Sequence, residues 1–283
     1  MSDDRIDLQT HSTSSDGTST PQELVRQASA AGLQVVALTD HDTSAGWVAA
    51  GEALPSGLSL VRGAEVSCVH DGISLHVLAY LFDPEEPVLA AALDGLRYSR
   101  SGRAEQMARA LEAAGTGVTW ERVRELAAGS VGRPHVARAL VEQGHVASIP
   151  EAFTADWIGT GGRFWVGLAE LDATTAVQMV TAAGGVTVFA HPGASARGRT
   201  VSDTAIAALA DAGLLGLEVD HVDHDEPARA ALTGLAAELD LVVTGGSDFH
   251  GSAKQIRLGA RTTSRDAYER LVSAASGLEV LVA

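Results

Sequence analysis

Short apolar segments alternate with longer amphipathic segments along most of the chain. Segments such as residues 35–38 and 186–190 have the length and the β-branched content of buried strands. The alternation predicts βα units and a largely parallel sheet. The predicted strands are residues 5–8, 35–38, 60–66, 75–80, 186–190, 216–219 and 241–244.

Helix signals separate these strands. In Thr20-Pro21-Gln22-Glu23 a capping residue precedes Pro at the first helical position, and Glu follows three residues after the cap. This signal predicts a helix that runs to Gly32. Further helices are predicted at residues 44–54, 174–183, 202–212 and 227–239.

Residues 84–171 interrupt the βα pattern. The segment lacks convincing strand signals and predicts helices at residues 88–114, 120–128, 134–142 and 150–155. Nine of the nineteen arginines lie between Arg97 and Arg163. We therefore expect an α/β domain formed by residues 1–83 and 172–283, with residues 84–171 as a helical insertion that caps one open end.

The net charge limits which binding partners are expected. The 283 residues contain 20 basic and 36 acidic side chains, a net charge of −16. A broad basic face that binds duplex DNA is therefore not expected, whereas a small phosphorylated substrate remains compatible, because bound cations invert the local field. The single cysteine, Cys68, excludes an internal disulfide, and the polar start and short apolar segments predict a cytoplasmic protein without a membrane anchor.

Histidines and carboxylates collect where the predicted strands end. Because the carboxyl ends of parallel strands meet at one edge of a sheet or barrel, we expect these side chains to converge. His76 lies early in its strand, so we predict that this strand forms a hairpin with residues 60–66. Mixed imidazole and carboxylate donors suit Zn, Mn and Fe. The candidate metal ligands are Gln9, His11, Asp16, His41, Glu65, His76, His191, Asp248 and His250.

The motifs that carry these residues resemble those of the polymerase and histidinol phosphatase (PHP) family, in its stand-alone bacterial branch of phosphoesterases. The resemblance implies a distorted (β/α)7 barrel with two or three divalent metal ions. That branch includes nucleotide and nucleoside-bisphosphate phosphatases and a 5′-to-3′ exoribonuclease. The matching segments are Asp7-Leu8-Gln9-Thr10-His11-Ser12, Ser15-Asp16-Gly17, Thr39-Asp40-His41-Asp42, Gly63-Ala64-Glu65, His76, Gly132-Arg133-Pro134-His135, Ala190-His191-Pro192 and Ser247-Asp248-Phe249-His250.

The resemblance also implies how the ligands divide. His11, Glu65 and Asp248 would hold one metal, and Glu65 would bridge to a second metal held by His76 and His191. The remaining ligands, Asp16, His41 and His250, would hold the third. A hydroxide between the first two metals would attack phosphorus, which makes Glu65, Asp248 and His191 the candidate catalytic residues.

The sequence departs from the family at Gln9, where the family has histidine. A neutral amide oxygen is a poorer donor than imidazole for these metals. Gln9 is therefore either a weak ligand or a residue that holds a metal-bound water. Asp7 and Asp40 are expected to orient ligand imidazoles.

Arginines near the expected mouth are candidates for phosphate binding. Arg133 and His135 begin a predicted helix, where backbone N–H groups also favour an anion. Two further candidates, Arg197 and Arg199, follow the His191 motif. The remaining histidines of interest, His221 and His224, follow a strand end and either contact substrate or serve only the fold.

These observations predict a phosphoesterase that acts on a terminal phosphate of a nucleotide, a nucleoside bisphosphate or a short RNA end. One alternative is another hydrolase with the same centre, acting on a sugar phosphate, histidinol phosphate, a cyclic phosphate or an amide. The other is a non-catalytic nucleotide-binding module whose metal site has decayed at Gln9.

Overall fold

Seven strands form a continuous path through the sheet of the computed structural model, which describes residues 5–127, 129–167, 171–195 and 198–283. The path runs β1-β2-β3-β4-β6-β7-β8. Two short strands, β5 and β9, pair with β3 outside it. The strands are β1 Ile6–Asp7, β2 Val35–Leu38, β3 Ser59–His70, β4 Ile73–Tyr80, β5 Leu171–Asp172, β6 Val186–Phe189, β7 Gly216–Asp220, β8 Val242–Gly245 and β9 Leu281–Val282.

The sheet curves into a nearly closed barrel. Beyond β1 and β8 the chain pairs again, because the His11 N–H donates to the Phe249 carbonyl (2.8 Å) and the Asp248 N–H donates to the Gln9 carbonyl (3.0 Å). The strand β4 is antiparallel to both of its neighbours, whereas the other pairs along the path are parallel. This reversal distorts the (β/α)7 arrangement and confirms the predicted hairpin, in which His76 lies opposite Ser67.

Helices cover the outside of the barrel where the sequence predicts them. The first helix has the expected capping box, in which the Thr20 side chain accepts from the Glu23 N–H and the Glu23 carboxylate accepts from the Thr20 N–H. The helices of the barrel are α1 Pro21–Ala30, α2 Trp47–Glu52, α7 Ala173–Ala182, α8 Asp203–Asp211, α9 Glu226–Glu238 and α10 Arg265–Ala274.

The described part of residues 84–171, the predicted insertion, contains four helices and a hydrophobic cluster of its own. They are α3 Pro87–Ala113, α4 Trp120–Glu125, α5 Arg133–Glu142 and α6 Ile149–Ala152. The buried members of this cluster lie between Ala104 and Phe164, whereas Leu89, Leu93 and Leu96 on the first part of α3 pack into the barrel core. One helix therefore belongs to both cores and joins them.

α10 and the two short strands β5 and β9 are not among the elements that the sequence predicts. The signal for α10 was present, since Ser264 caps its first turn and the buried Ala267 and Leu271 recur at helical spacing. β5 and β9 contain only two residues each, whereas the equally short β1 is predicted because Leu8 continues its alternating apolar pattern. Among the described residues, no helix combines the length and the apolar character needed to cross a membrane.

We predict that Leu140→Ala lowers the free energy of unfolding by about 2–5 kcal/mol, because Leu140 is fully buried in the insertion cluster. Val88→Ala is the matched control on the exposed side of α3, with an expected change within about 0.5 kcal/mol. Urea unfolding measures both. Equal losses would contradict an independently packed cluster in the insertion.

Candidate metal centre

Five imidazoles and three carboxylates meet inside the end of the barrel where the parallel strands terminate. Glu65 on β3 lies at the centre. Its Oε1 is 2.7 Å from Nδ1 of His76 and 3.0 Å from Nε2 of His191, and its Oε2 is 2.9 Å from Nε2 of His11. The residues brought together are His11, Asp16, His41, Glu65, His76, His191, Asp248 and His250.

The ligand atoms within the described residues form three overlapping groups, in each of which they lie within 4.8 Å of one another. These groups overlap because His11, His41 and Glu65 each belong to two of them. The sets are His11, Asp16, His41 and His250; His41, Glu65 and His76; and His11, Glu65 and Asp248. The arrangement can hold more than one cation.

The chemistry of these contacts fits metal ions. Nε2 of His11 lies 3.3 Å from Oδ1 of Asp248 and Nδ1 of His76 lies 2.7 Å from Glu65, yet neither nitrogen makes a hydrogen bond within the described part of the chain. Buried polar atoms are normally hydrogen-bonded. Imidazole nitrogens and carboxylate oxygens that face one another without hydrogen bonds are arranged as ligands of a cation would be.

The electrostatics of the site show its need for positive charge. Burial acts to raise the pKa of Glu65, but the surrounding imidazoles of His76, His41, His11 and His191 together hold this pKa well below its usual range. Burial acts to lower the pKa of His11, whereas Asp248 and Glu65 raise it to about 10. Without a cation, a proton on His11 balances these carboxylates, so a metal ion must displace it.

Three residues of the site region hold a left-handed backbone that L-residues rarely adopt. The φ angles are +55° at Asp42, +37° at His191 and +54° at Asp248. The carboxylate of Glu218, fully buried, accepts the His191 N–H at 2.9 Å and supports one of these turns. Such strain persists only where the surroundings fix it, and it clusters at functional sites.

Arg100 links the insertion to the loop that carries His41. Its Nε and Nη2 donate to Oδ2 of Asp42 at 3.1 and 2.9 Å, and Nη2 also donates to Oγ of Ser67 at 2.5 Å. Asp42 in turn accepts the Ser67 N–H at 2.7 Å. The sequence analysis did not select Arg100, because nothing in the local pattern of α3 distinguishes it from the arginines around it.

Asp7 and Asp40 act differently from the expectation that they orient imidazoles. Asp7 accepts the N–H groups of Ser247 and Gly259, and Asp40 accepts the N–H and hydroxyl of Ser12. The hydrogen bonds of these two carboxylates therefore go to backbone N–H groups and a hydroxyl, and not to the ligand imidazoles as expected. The two carboxylates stabilise the loops that carry the candidate ligands, because each loop leaves backbone donors that a strand no longer pairs.

Gln9 adjoins the cluster through its backbone, since its carbonyl accepts the Asp248 N–H at 3.0 Å, and its side chain is fully buried. Neither its amide oxygen nor its amide nitrogen has a hydrogen-bond partner within residues 5–127, 129–167, 171–195 and 198–283. A buried amide normally finds partners. This side chain therefore fits either expectation, as a ligand through its oxygen or as a donor to a water at the centre.

The predicted phosphate-binding residues have different surroundings. His135 is buried at the start of α5, where its Nδ1 accepts the Gly132 N–H at 3.1 Å. Burial lowers the pKa of His135, and Asp16 is near enough to oppose that shift. Arg133 is half-buried with its guanidinium over the Phe153 ring, Arg199 is exposed, and Arg197 lies outside the described residues.

Of the two later histidines, only His221 reaches the cluster. Its ring centroid is 5.3 Å from that of His191, and its Nε2 is 3.7 Å from Oδ2 of Asp248. Its Nδ1 accepts the Asp223 N–H. His224 serves the fold, since its two nitrogens contact the Val219 carbonyl and the Gly193 N–H.

Comparison with known proteins identifies relatives over nearly the whole chain. A model of the PHP domain matches residues 7–118. The chain is 36% identical to the 5′-3′ exoribonuclease of Haemophilus influenzae over 90% of this chain and 93% of that protein. It is 36% identical to the 3′,5′-nucleoside bisphosphate phosphatase of Chromobacterium violaceum, with 87% of each chain covered.

A third relative acts on a different phosphate ester. The phosphoribosyl 1,2-cyclic phosphate 1,2-diphosphodiesterase of Eggerthella lenta is 34% identical over 87% of this chain and 94% of its own. Among solved structures, a Bifidobacterium adolescentis protein assigned as a metal-dependent phosphoesterase has a TM-score of 0.90 and 36% identity, with 96% of each chain covered.

We predict that Arg100→Met destabilises the protein by about 3–5 kcal/mol, because it leaves the buried Asp42 carboxylate without its cation. Arg109→Met removes an exposed pair with Glu105 on the same helix and should leave the stability nearly unchanged, because water screens that pair. Urea unfolding of both variants measures the difference. Similar stabilities would refute a structural role for the Arg100–Asp42 pair.

Proposed function

This chain belongs to the PHP family of metal-dependent phosphoesterases, and we propose that it hydrolyses the terminal phosphate ester of a nucleotide, a nucleoside bisphosphate or a short oligoribonucleotide. The observation that carries this proposal is the buried convergence of five imidazoles and three carboxylates around Glu65. Relatives that share most of its length act on nucleoside bisphosphates and RNA.

The cofactors in this proposal are two or three divalent ions chosen from Mn, Zn and Fe. The nine residues that would hold them are Gln9, His11, Asp16, His41, Glu65, His76, His191, Asp248 and His250. When bound, such ions lower the pKa of a coordinated water and neutralise phosphate charge. One oxygen or the other of Glu65 lies within 3.0 Å of an imidazole nitrogen of His11, His76 and His191, so the candidate ligands are already gathered around it.

In the proposed reaction Glu65, Asp248 and His191 lie next to the phosphorus. The start of α5 is proposed to supply phosphate contacts, because the positive end of the helix and the Arg133 guanidinium both favour an anion. His135 accepts a backbone N–H through Nδ1, so its neutral form carries the proton on Nε2 and can donate to a phosphate oxygen. Arg197 and Arg199 are proposed as further phosphate contacts from the loop after His191.

The rest of the substrate is proposed to lie between the barrel and the insertion. A cavity of about 620 Å³ separates the loops after β1 and β2 from α3, with Thr13, Thr43 and Arg97 in its walls. Tyr98, 84% exposed, offers an aromatic face there for a nucleobase. The net charge of −16 opposes long nucleic acids, which favours short substrates or strand ends.

The insertion at residues 84–171 is proposed to act as a cap on the barrel formed by residues 1–83 and 172–283. Its separate hydrophobic cluster supports this division, and Arg100 supplies a fixed contact across it. We also propose a cytoplasmic location. The single cysteine cannot form an internal disulfide, which is the usual situation in a reducing compartment.

A second candidate is hydrolysis of a cyclic phosphate diester. The relative from Eggerthella lenta, whose name gives that activity, matches this chain almost as well as the other two. The same centre would serve, because the attacked atom is phosphorus in both cases. Hydrolysis rates on a panel of substrates separate these possibilities. The panel contains nucleotides, nucleoside bisphosphates and short RNAs, together with cyclic phosphates, sugar phosphates, histidinol phosphate and an amide.

We predict that Glu65→Ala lowers kcat/KM on the preferred phosphate ester by at least about 100-fold, because it removes the carboxylate shared by the candidate ligands. Glu52→Ala, at an exposed position on α2, is the matched control and should keep full activity. Metal content and circular dichroism are measured on the same samples. Undiminished turnover of Glu65→Ala would refute the proposed centre.

We predict that Gln9→His raises the zinc affinity of the chain by about tenfold or more, because imidazole is a better zinc donor than an amide oxygen. Elemental analysis after dialysis against limiting Zn and Mn measures it. Gln106→His, on the exposed side of α3, controls for an added histidine. Unchanged metal content would contradict a place for Gln9 in the centre, and less than one metal per native chain without turnover would favour a non-catalytic module.

A further inference from the structure

Lys254 is the only lysine of the chain, and it reaches the candidate metal centre. Its Nζ lies 2.6 Å from Oδ2 of Asp248, six residues earlier, and the side chain is 33% exposed. The ammonium therefore has one side on a candidate ligand and another side open to solvent.

The turn before Lys254 is fixed by the loop that carries Asp16. The Thr18 N–H donates to the His250 carbonyl at 3.1 Å, and the Thr18 hydroxyl accepts the Ser252 N–H at 2.8 Å. Gly251 has a φ of +67°, and a Cβ there would collide with the Thr18 hydroxyl. The fold thus determines that the lysine side chain returns over Asp248.

The two oxygens of Asp248 face different partners. Oδ1 lies 3.3 Å from Nε2 of His11, within the imidazole cluster, whereas Oδ2 pairs with the ammonium and lies 3.7 Å from Nε2 of His221. An anion that binds at the cluster from the solvent side would therefore find the ammonium at its edge. Lysine binds phosphate as a flexible point charge, and it can keep a carboxylate partner while doing so because it has three donors.

We propose that Lys254 is a substrate-contacting residue whose ammonium binds a phosphoryl oxygen while it remains paired with Asp248. This inference rests on the proposed function, because it needs a phosphate at the centre. It adds a cation from the segment after β8 to the candidate phosphate-binding residues Arg133, His135, Arg197 and Arg199. The competing role is an ion pair that only orients Asp248.

Selective amine modification tests the contact directly, since a chain with one lysine has only that amine and its α-amine to react. The metal-loaded protein is treated with an amine-reactive reagent, with and without inorganic phosphate, and peptide mapping measures both rates. Phosphate at ten times its Kd should slow modification of Lys254 about tenfold. The α-amine is the internal control and should react at an unchanged rate. Equal slowing of both amines, or of neither, would overturn the proposal.

Substitution separates phosphate binding from the orientation of Asp248. Lys254→Met should weaken binding of inorganic phosphate about tenfold and raise KM similarly, with metal content unchanged, because one charged hydrogen bond is lost. Lys254→Arg keeps the charge and should restore part of the binding. Arg257→Met removes an exposed cation from the same loop and should bind phosphate normally.

A fall in metal content for Lys254→Met with unaltered phosphate affinity would establish the orienting role and overturn the proposal. The phosphate measurements need no turnover. If none of the tested esters is hydrolysed while phosphate still protects Lys254, the proposed substrate class fails and the lysine contact stands. If phosphate does not protect Lys254 while nucleotides are hydrolysed, the proposed substrate class stands and the lysine contact fails.

Discussion

Glu65 imposes the constraint on which the site depends, because its carboxylate is buried in the interior of the barrel and requires positive charge around it. Imidazoles from four different segments of the chain approach its two oxygens. Taking a carboxylate out of water is expensive unless charge and hydrogen bonds compensate. Such a carboxylate favours a proton on His11, whose pKa is raised to about 10, or a cation in place of that proton.

A layer of further carboxylates holds the loops around this centre. Asp7 and Asp40 bind backbone N–H groups of the ligand-bearing loops, and Glu218 binds the N–H of His191. The loops need such partners, because residues beyond a strand end have no neighbouring strand to pair their N–H groups. Burying these carboxylates is unfavourable in itself, but their hydrogen bonds fix the loops that carry the candidate ligands.

The insertion is part of the same arrangement. Arg100 reaches from α3 to Asp42 and Ser67, directly behind His41 and near Glu65 in sequence, and Gly132 packs on its side chain just before the predicted phosphate-binding helix. The loop that carries a candidate ligand and the residue before α5 therefore both contact one arginine side chain, the loop through the guanidinium and Gly132 through the methylene carbons.

The sequence by itself determined the strands and most of the helices, because these depend on local periodicity and capping, and its motifs indicated the eight donors that converge. It even carried the signal for α10, which went unrecognised. Only the tertiary structure decided which side chains stand behind the donors. Arg100 and Asp42 are 58 residues apart, and Glu218 lies 27 residues from the His191 it supports. His221 and Lys254 are local in sequence, but their direction toward Asp248 depends on turns fixed by distant loops. Contacts of this kind arise from the closure of the barrel and leave no periodic pattern in the chain.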